Sequence, residues 1–482
     1  MDERLHLLLA DAEEQAPVLK AGLEFRAAWD SPKPGQLPRR VEAYTLDAPG
    51  RDPNDLAAQR WGVIAPEGRE GDEMLQAIEP LIRHRERQQG ACARRYRVPP
   101  GMDAEAAVQW RDSEYRAEEV PEEERPRYLL VLGDLHQVSI ELQQVLVHSA
   151  FVGRLHFAGP GGGTDLAGHA AYARKVLASE HAREAAELPE SLFYTALDGS
   201  GATEWGERLL VQPCLEAMKT KWERKHPGLR VQRVPYGGCG VDELVDAAGR
   251  TRAGVMLTVS HGLGAPPWGW SSVERQWAMQ GALSLGPGQV LFGDMVRSTP
   301  FLPEGIWFCL ACFGAATPPV SAFHAWLEML AQAGVYPGSP EDVLRCLPQP
   351  GQRPFLAALP QAALANPRGP LAVIGHSDLA WSVGFSDPDN LHRSRASRFL
   401  SVLETLAGGG RAGVALDALM RFYREVNDTL MAQYQLRQDA AIRHKPDPVN
   451  PARLGGYWML RNDLRGYILL GDPAVRLPSR AA

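Results

Sequence analysis

Short, wholly apolar runs alternate with longer helical patterns along most of this 482-residue chain. The clearest runs are Tyr128–Leu132 and Ile306–Leu310, which contain only aliphatic, aromatic and cysteine residues. Strands that are apolar throughout are typical of a parallel sheet covered on both faces, whereas a half-exposed antiparallel strand alternates. Helical patterns between the strands fit the crossovers that parallel pairing requires. The sequence therefore predicts an α/β fold, a three-layer αβα sandwich with a mostly parallel sheet.

The strand and helix pattern restarts after Pro189, and we place a boundary between two parts of the chain there. Residues 1–189 are predicted to form a smaller α/β subdomain. It begins with an amphipathic helix pair over residues 1–30, followed by a linker over residues 31–60. Residues 190–482 are predicted to form the larger α/β domain.

The composition excludes several classes of protein. A hydrophobic content of 45% and a charged content of 23% are ordinary for a soluble chain, and the net charge of −7 argues against a nucleic-acid partner. No apolar run has the length of a membrane-spanning helix, so we expect no membrane association. Residues Met1–His6 lack the basic and apolar regions of a signal peptide. Six scattered cysteines do not form a disulfide framework, which favours a cytoplasmic protein with reduced thiols.

Cys312 and His261 each follow an apolar strand closely. Reactive groups at the ends of parallel strands meet at one edge of the sheet. A thiol needs a base nearby because free cysteine is mostly protonated at neutral pH. Gly262 would let a backbone N–H approach a carbonyl oxygen, and Gly314 would let the chain turn away after Cys312. The pair therefore predicts nucleophilic catalysis; the alternative is a strand-end histidine and a core thiol.

One cysteine motif and one glycine motif could indicate a metal site and a dinucleotide site, but both have structural interpretations. Cys309 and Cys312 form a C-x-x-C, but strand residues three apart face opposite sides and no second C-x-x-C exists, so we predict no metal site and a core role for Cys309. Residues Gly408–Gly413 fit G-x-G-x-x-G but follow a helical pattern. They are predicted to stop a helix rather than to bind a dinucleotide.

Four motifs in order resemble those of caspase-fold cysteine peptidases, the clan of caspases and gingipains, and most of all the gingipain-like branch. Thr258–Gly262 and Leu310–Gly314 are similar to the histidine and cysteine motifs of that family. Leu371–Trp381 resembles the strand and tryptophan that form a wall of the specificity pocket, and Tyr467–Leu477 resembles the closing Gly-Asp-Pro strand. The resemblance implies a caspase-like catalytic domain over residues 190–482.

The resemblance implies a cysteine endopeptidase that acts on protein or peptide substrates through an acyl-enzyme thioester. Cys312 would attack the scissile carbonyl, and His261 would protonate the leaving amine and then activate water. The N–H groups of Gly262 and Cys312 would hold the oxyanion, and Asp198 would orient His261. No cofactor or metal is required for this chemistry.

Cleavage after arginine, or after lysine, is the specificity that the resemblance implies. Glu204 and Glu207 are the candidate carboxylates, and Trp381 is the candidate stacking surface for a guanidinium. For both glutamates the alternative is a solvated helix start, where acidic residues are common.

Regulation and biological role also follow from resemblance only. Bacterial caspase-like proteins similar to this chain act as antiphage effectors, some with a TIR-type partner that makes a nucleotide-derived messenger. We therefore expect a gated protease with a possible small-molecule activator, no evident inhibitory prosegment, and candidate lids at 264–300 and Tyr336–Pro354. The alternative is a catalytically silent caspase-fold scaffold that binds a partner or a small signalling molecule.

Overall fold

A ten-stranded sheet forms the centre of the protein. The structure is a computed structural model that describes residues 4–24, 52–181, 189–222, 229–234, 240–336 and 338–478. In chain order the strands are β1 Trp61–Pro66, β2 Arg94–Val98, β3 Tyr128–Leu132, β4 Phe151–Leu155, β5 Ser191–Thr195, β6 Val231–Arg233, β7 Val255–Val259, β8 Ile306–Leu310, β9 Ala372–His376 and β10 Tyr467–Leu470. Their order across the sheet is β2-β1-β3-β4-β10-β9-β8-β7-β5-β6.

The sheet consists of two parallel halves joined by one antiparallel pair. Strands β1 to β4 and β10 run in one direction, and β5 to β9 run in the other. The junction is the antiparallel pairing of β9 with β10, in which Val373 lies opposite Leu470. The sheet thus continues through position 190, and the domain division placed there stays a prediction.

Helices cover both faces of the sheet. Every residue of β3 and β8 is buried, as the wholly apolar runs require. The predicted α/β sandwich with a mostly parallel sheet is therefore confirmed.

The α-helices vary widely in length. Their bounds are Leu56–Gln59, Arg69–Ala77, Glu79–Gln89, Ala104–Trp110, Ile140–Leu146, Leu166–His181, Gly201–Gly206, Gln212–Ala217, Val241–Arg250, Val273–Met279, Gly293–Arg297, His324–Gln332, Pro340–Leu344, Ala358–Ala365, Ser397–Ala407, Ala412–Ile442 and Pro451–Arg465. Ala407 ends one helix just before the Gly408–Gly413 motif, which is the predicted helix stop. Among the described residues, no helix combines the length and apolar character needed to cross a bilayer.

The predicted helix pair over residues 1–30 is wrong for the described part, residues 4–24. Arg4–Leu5 pairs with Leu23–Glu24, and Leu9–Asp11 joins a four-stranded sheet. The stretch from Leu5 to Ala10 is buried on all sides, so it has no polar face to give to an amphipathic helix. Residues 25–30, and 31–51 of the predicted linker, lie outside the described residues.

The described residues also form four short sheets outside the central one. The four-stranded sheet contains Leu9–Asp11, His261–Gly264, Leu283–Gly286 and Gln289–Leu291. The two-stranded sheets pair Arg4–Leu5 with Leu23–Glu24, Ala316–Thr317 with Phe355–Leu356, and Ser386–Asp387 with Asn390–Ser394.

A buried ion-pair cluster holds the end of β10 against the first half of the sheet. The Asp472 carboxylate lies 2.8 Å from the Arg85 guanidinium and accepts a hydrogen bond from the Trp61 indole N–H at 3.0 Å. Arg85 also pairs with Glu180 at 2.7 Å. The Arg85 and Asp472 side chains are fully buried, so each charge depends on its partners.

We expect Asp472→Ala to destabilise the protein by about 3–5 kcal/mol, because it leaves a buried guanidinium with one carboxylate instead of two. Urea unfolding followed by circular dichroism measures the loss. The control is Asp112→Ala, which removes a half-exposed carboxylate paired with Arg111 and should cost less than about 1 kcal/mol. Equal effects of the two substitutions would contradict this account.

Candidate active site

Two neighbouring strands bring His261 and Cys312 together. Strands β7 and β8 pair in parallel with Val259 opposite Leu310. His261 is the second residue after β7 and Cys312 the second after β8, so both leave the same edge of the sheet. Both are fully buried in this conformation.

The backbones of Gly262 and Cys312 approach each other so closely that only glycine fits at 262. A Cβ at Gly262 would lie 1.8 Å from the Cys312 carbonyl oxygen. The two N–H groups converge on one acceptor, the Leu8 carbonyl oxygen, at 2.8 Å from Gly262 and 3.0 Å from Cys312. Paired backbone donors on one carbonyl oxygen have the arrangement of an oxyanion hole.

The imidazole of His261 has polar partners on one nitrogen. Its Nε2 lies 2.8 Å from the Ser200 hydroxyl and 3.3 Å from the Asp198 carboxylate. The Asp198 carboxylate also accepts hydrogen bonds from the Thr203 hydroxyl at 2.7 Å and the Ser200 N–H at 3.0 Å. The other nitrogen, Nδ1, is buried and has no hydrogen-bond partner among the described residues. A proton on Nε2, facing the carboxylate, leaves the lone pair of Nδ1 free to act as a base.

Burial favours the neutral form of both the His261 and the Cys312 side chains. Burial lowers the pKa of His261 to about 4, although the Asp198 charge opposes that shift. Burial raises the pKa of Cys312 well above its usual value, and only a hydrogen bond from the Ala380 N–H to Sγ, at 3.1 Å, opposes it. For Asp198, burial works against ionisation, but the interaction with His261 and the bonds from Ser200 and Thr203 leave its pKa lowered.

The turn after Cys312 differs from the expectation. Phe313, not Gly314, has the left-handed backbone, with φ of 55°. The Phe313 N–H donates to the Asp378 carbonyl at 2.9 Å, which compensates for this unfavourable conformation. Gly314 serves a close approach instead, because a Cβ there would lie 3.3 Å from Cys309 Sγ.

Cys309 lies in the core, as predicted. It is buried within β8, and burial raises its pKa to about 12. Among the described residues, no group of three or more histidine, cysteine or acidic side chains could hold a metal ion.

The three predicted specificity residues have different surroundings. Glu207 accepts a hydrogen bond from the Thr195 hydroxyl at 2.7 Å and pairs with Arg233 at 2.7 Å. Glu204 is exposed in the helix Gly201–Gly206. The buried Trp381 ring packs 5.9 Å from the Phe323 ring and 5.6 Å from the Trp326 ring, between ring centroids.

The two candidate lids meet beside the site. The Ala265 N–H lies 3.1 Å from Cys346 Sγ, which joins the 264–300 region to the Tyr336–Pro354 region. Both regions contain short helices, Val273–Met279 and Pro340–Leu344. Their role as lids stays a prediction.

Sequence reasoning missed Ser200, and it misjudged residues 4–24. Ser200 caps the helix Gly201–Gly206 and contacts His261, and a serine directly before a helix start was a visible signal. The nearly continuous apolar run from Leu5 to Ala10 was also a signal, because such a run is as typical of a buried strand as of a helix.

Comparisons with known proteins found no matching family model and no matching curated protein. Among solved structures, the Arg-specific cysteine proteinase gingipain R is similar over 87% of this chain and 78% of its own, with 12% identity and a TM-score of 0.46. A periplasmic sugar-binding protein from Pseudomonas fluorescens is similar over 56% of this chain and 72% of its own, with 11% identity and a TM-score of 0.14. An extracellular ligand-binding receptor from Rhodopseudomonas palustris HaA2 is similar over 85% of this chain and 96% of its own, with 11% identity and a TM-score of 0.19. Values this low carry no argument about activity.

The low pKa of His261 predicts a pH-dependent stability. In the unfolded chain His261 binds a proton below about pH 6.5, whereas in the folded protein it binds one only below about pH 4. The free energy of unfolding therefore falls as the pH falls through this range. Between pH 7 and pH 5 the free energy of unfolding of the wild type should therefore fall by on the order of 2 kcal/mol more than that of His261→Asn. Urea unfolding of both proteins at the two pH values measures this difference. Identical losses would contradict the neutral, buried imidazole.

Proposed function

We propose that this chain is a cysteine endopeptidase that uses Cys312 as nucleophile and His261 as general acid and base. The observation that supports it most is the convergence of two N–H groups on one carbonyl oxygen, one from Gly262 and one from Cys312, the residue that carries the thiol. A peptide carbonyl held there is polarised by two donors and lies next to a nucleophile. The sequence resemblance to caspase-fold peptidases favours the same chemistry.

The proposed reaction uses the thiol, two backbone N–H groups, the imidazole and the carboxylate beside it. The Cys312 sulfur attacks the carbonyl carbon, and the Gly262 and Cys312 N–H groups stabilise the oxyanion. His261 takes the thiol proton and passes it to the leaving amine, which breaks the C–N bond and leaves a thioester. The same imidazole then takes a proton from water as the water oxygen attacks the thioester carbon. The C–S bond breaks, the carboxylic acid leaves, and the imidazolium returns its proton to the sulfur. Asp198 is proposed to orient His261 through Nε2.

The residue preferred before the cleaved bond is a separate question. Cleavage after arginine stays the prediction of the resemblance. The internal pairing of Glu207 with Arg233, and the packing of Trp381 among aromatic rings, give that preference little support. A guanidinium needs a free carboxylate when it is buried.

One observation favours the alternative of a silent scaffold. In this conformation the thiol and imidazole are both neutral and fully buried, and the paired N–H groups already have an acceptor. A protein that stayed in this state would bind partners without hydrolysing them.

Substitution of the dyad separates the two functions. Cys312→Ala and His261→Ala should each reduce kcat/KM on a peptide library by at least about 10³-fold, because each removes a group that takes part in bond breaking. Cys309→Ala is the matched control: it changes a thiol three residues away that lies in the core, and it should keep the activity of a folded protein. No hydrolysis by the wild type after activation, or equal hydrolysis by Cys312→Ala, would exclude the peptidase.

We also propose a role in bacterial antiphage defence, gated by a nucleotide-derived messenger from a TIR-type partner. Only the sequence resemblance supports this role. If it is right, the chain and its partner genes should reduce phage plaque formation, and Cys312→Ala should abolish that protection while Cys309→Ala keeps it. Plaque counts on cells that carry each version measure this outcome. Protection by the Cys312→Ala version would contradict a proteolytic effector.

A further inference from the structure

Residues 6–11 run through the proposed active site, in contact with both of its walls. We define the cleft by its walls, Ala380–Ser382 on one side and His261–Gly264 on the other, with Cys312 between them. We define the segment as residues 4–24. The segment's own chain passes from one wall to the other at Leu8.

The first wall pairs with His6–Leu8 in antiparallel fashion. The Leu8 N–H donates to the Ala380 carbonyl at 3.2 Å, and the Ser382 N–H donates to the His6 carbonyl at 3.0 Å. The His6 N–H donates to the Ser382 hydroxyl at 3.0 Å, and Leu7 forms an antiparallel bridge with Trp381. Pairing of a bound peptide with a strand edge is a common mode of peptide recognition.

The second wall pairs with the residues after Leu8. Leu9–Asp11 lies parallel to Gly262–Gly264, with Leu9 opposite Gly262. Between the two walls, the Leu8 carbonyl oxygen accepts the hydrogen bonds of Gly262 and Cys312. The Leu8–Leu9 peptide therefore lies where a bond to be cleaved would lie.

We propose that the cleft is a binding site for an extended peptide with an apolar residue before the cleaved bond, and that residues 6–11 of the chain itself occupy it in this register. The site is then filled until the segment leaves. This inference rests on the proposed function for the meaning of the cleaved bond, but the occupancy itself does not depend on catalysis.

The side chains of the occupant define the substrate class. Leu7, Leu8 and Leu9 are all fully buried. An apolar side chain gains free energy in such surroundings, whereas a charged one loses its hydration and needs a buried partner. The cleft thus favours an aliphatic residue at the position of Leu8, in contrast to the arginine implied by the resemblance.

The segment also makes contacts outside the cleft, and these contacts help to keep residues 6–11 in place. It folds back on itself: the Val18 N–H donates to the Leu9 carbonyl at 2.9 Å, and Arg4–Leu5 pairs with Leu23–Glu24. The His6 ring packs 5.5 Å from the Trp205 ring between centroids, and a Cβ at Gly201 would lie 2.5 Å from it.

Thiol labelling tests the occupancy without requiring turnover. Iodoacetamide is added to the full chain, and peptide mapping by mass spectrometry gives the labelling rate of Cys312 relative to the exposed Cys92. Leu8→Asp should raise this ratio by at least about tenfold, because a buried carboxylate without a partner expels the segment. Leu436→Asp, the same change at a half-exposed leucine, should leave the ratio unchanged. A wild-type ratio equal to that of Leu8→Asp would overturn the proposal.

A peptide added in trans tests the substrate class. A synthetic peptide of residues 4–12 should slow the labelling of Cys312 in the Leu8→Asp protein, and the same peptide with L8R should not. Stronger protection by the L8R peptide would overturn the apolar preference. No protection by either peptide at millimolar concentration would overturn the peptide site.

If Leu8→Asp does not fold, hydrogen exchange of the wild type tests the occupancy instead. Amides of residues 6–11 should exchange as slowly as those of β8, and fast exchange would overturn the occupancy. Hydrolysis assays on the same proteins separate this inference from the proposed function. Labelling and exchange as expected with no hydrolysis by any variant would overturn the peptidase alone. Full hydrolysis by the wild type at the rate of Leu8→Asp would overturn the occupancy alone.

Discussion

The site depends on the close approach of the Gly262 and Cys312 backbones. A Cβ at 262 would lie 1.8 Å from the Cys312 carbonyl oxygen, so the approach exists only because residue 262 is glycine. Parallel pairing of β7 with β8 contributes to it, since Val259 lies opposite Leu310 and the register therefore places His261, the residue before Gly262, level with Cys312. The same approach points two N–H groups at one position. The approach of these two backbones therefore positions the paired N–H donors next to the residues that carry the thiol and the imidazole.

Our two proposals, the occupied cleft and the catalytic pair of Cys312 and His261, are physically linked. Burial is the main reason why the pKa of Cys312 is raised and that of His261 is lowered. Segment 4–24 supplies part of that burial, because Leu8 lies against the Cys312 N–H. Admission of water would favour the thiolate and the imidazolium over their neutral forms. The bound segment thus favours the neutral thiol and imidazole. Once the segment has left, solvent reaches both groups before a substrate peptide binds.

Local sequence patterns predict the central sheet but not the occupant of the cleft. Strands β3 and β8 have the predicted bounds because each is wholly apolar and buried on both faces. The segment was misassigned because its partners, Gly262 and Trp381, lie hundreds of residues away, and no local pattern records such pairing. The same reason explains Phe313: its left-handed backbone is fixed by the Asp378 carbonyl, while composition pointed to the neighbouring glycine.

The wall that receives His6–Leu8 is positioned by the end of the chain. The Asp463 carboxylate, in the helix Pro451–Arg465, accepts the Trp381 N–H at 2.7 Å, and the Asp463 carbonyl oxygen lies 2.9 Å from His376 Nε2 at the end of β9. That helix leads directly into β10, whose far end is fixed by the buried pair of Asp472 with Arg85. The backbone of this wall is therefore hydrogen-bonded to a fully buried side chain of that helix. In our proposal the segment, rather than this wall, is therefore the part that moves to open the cleft.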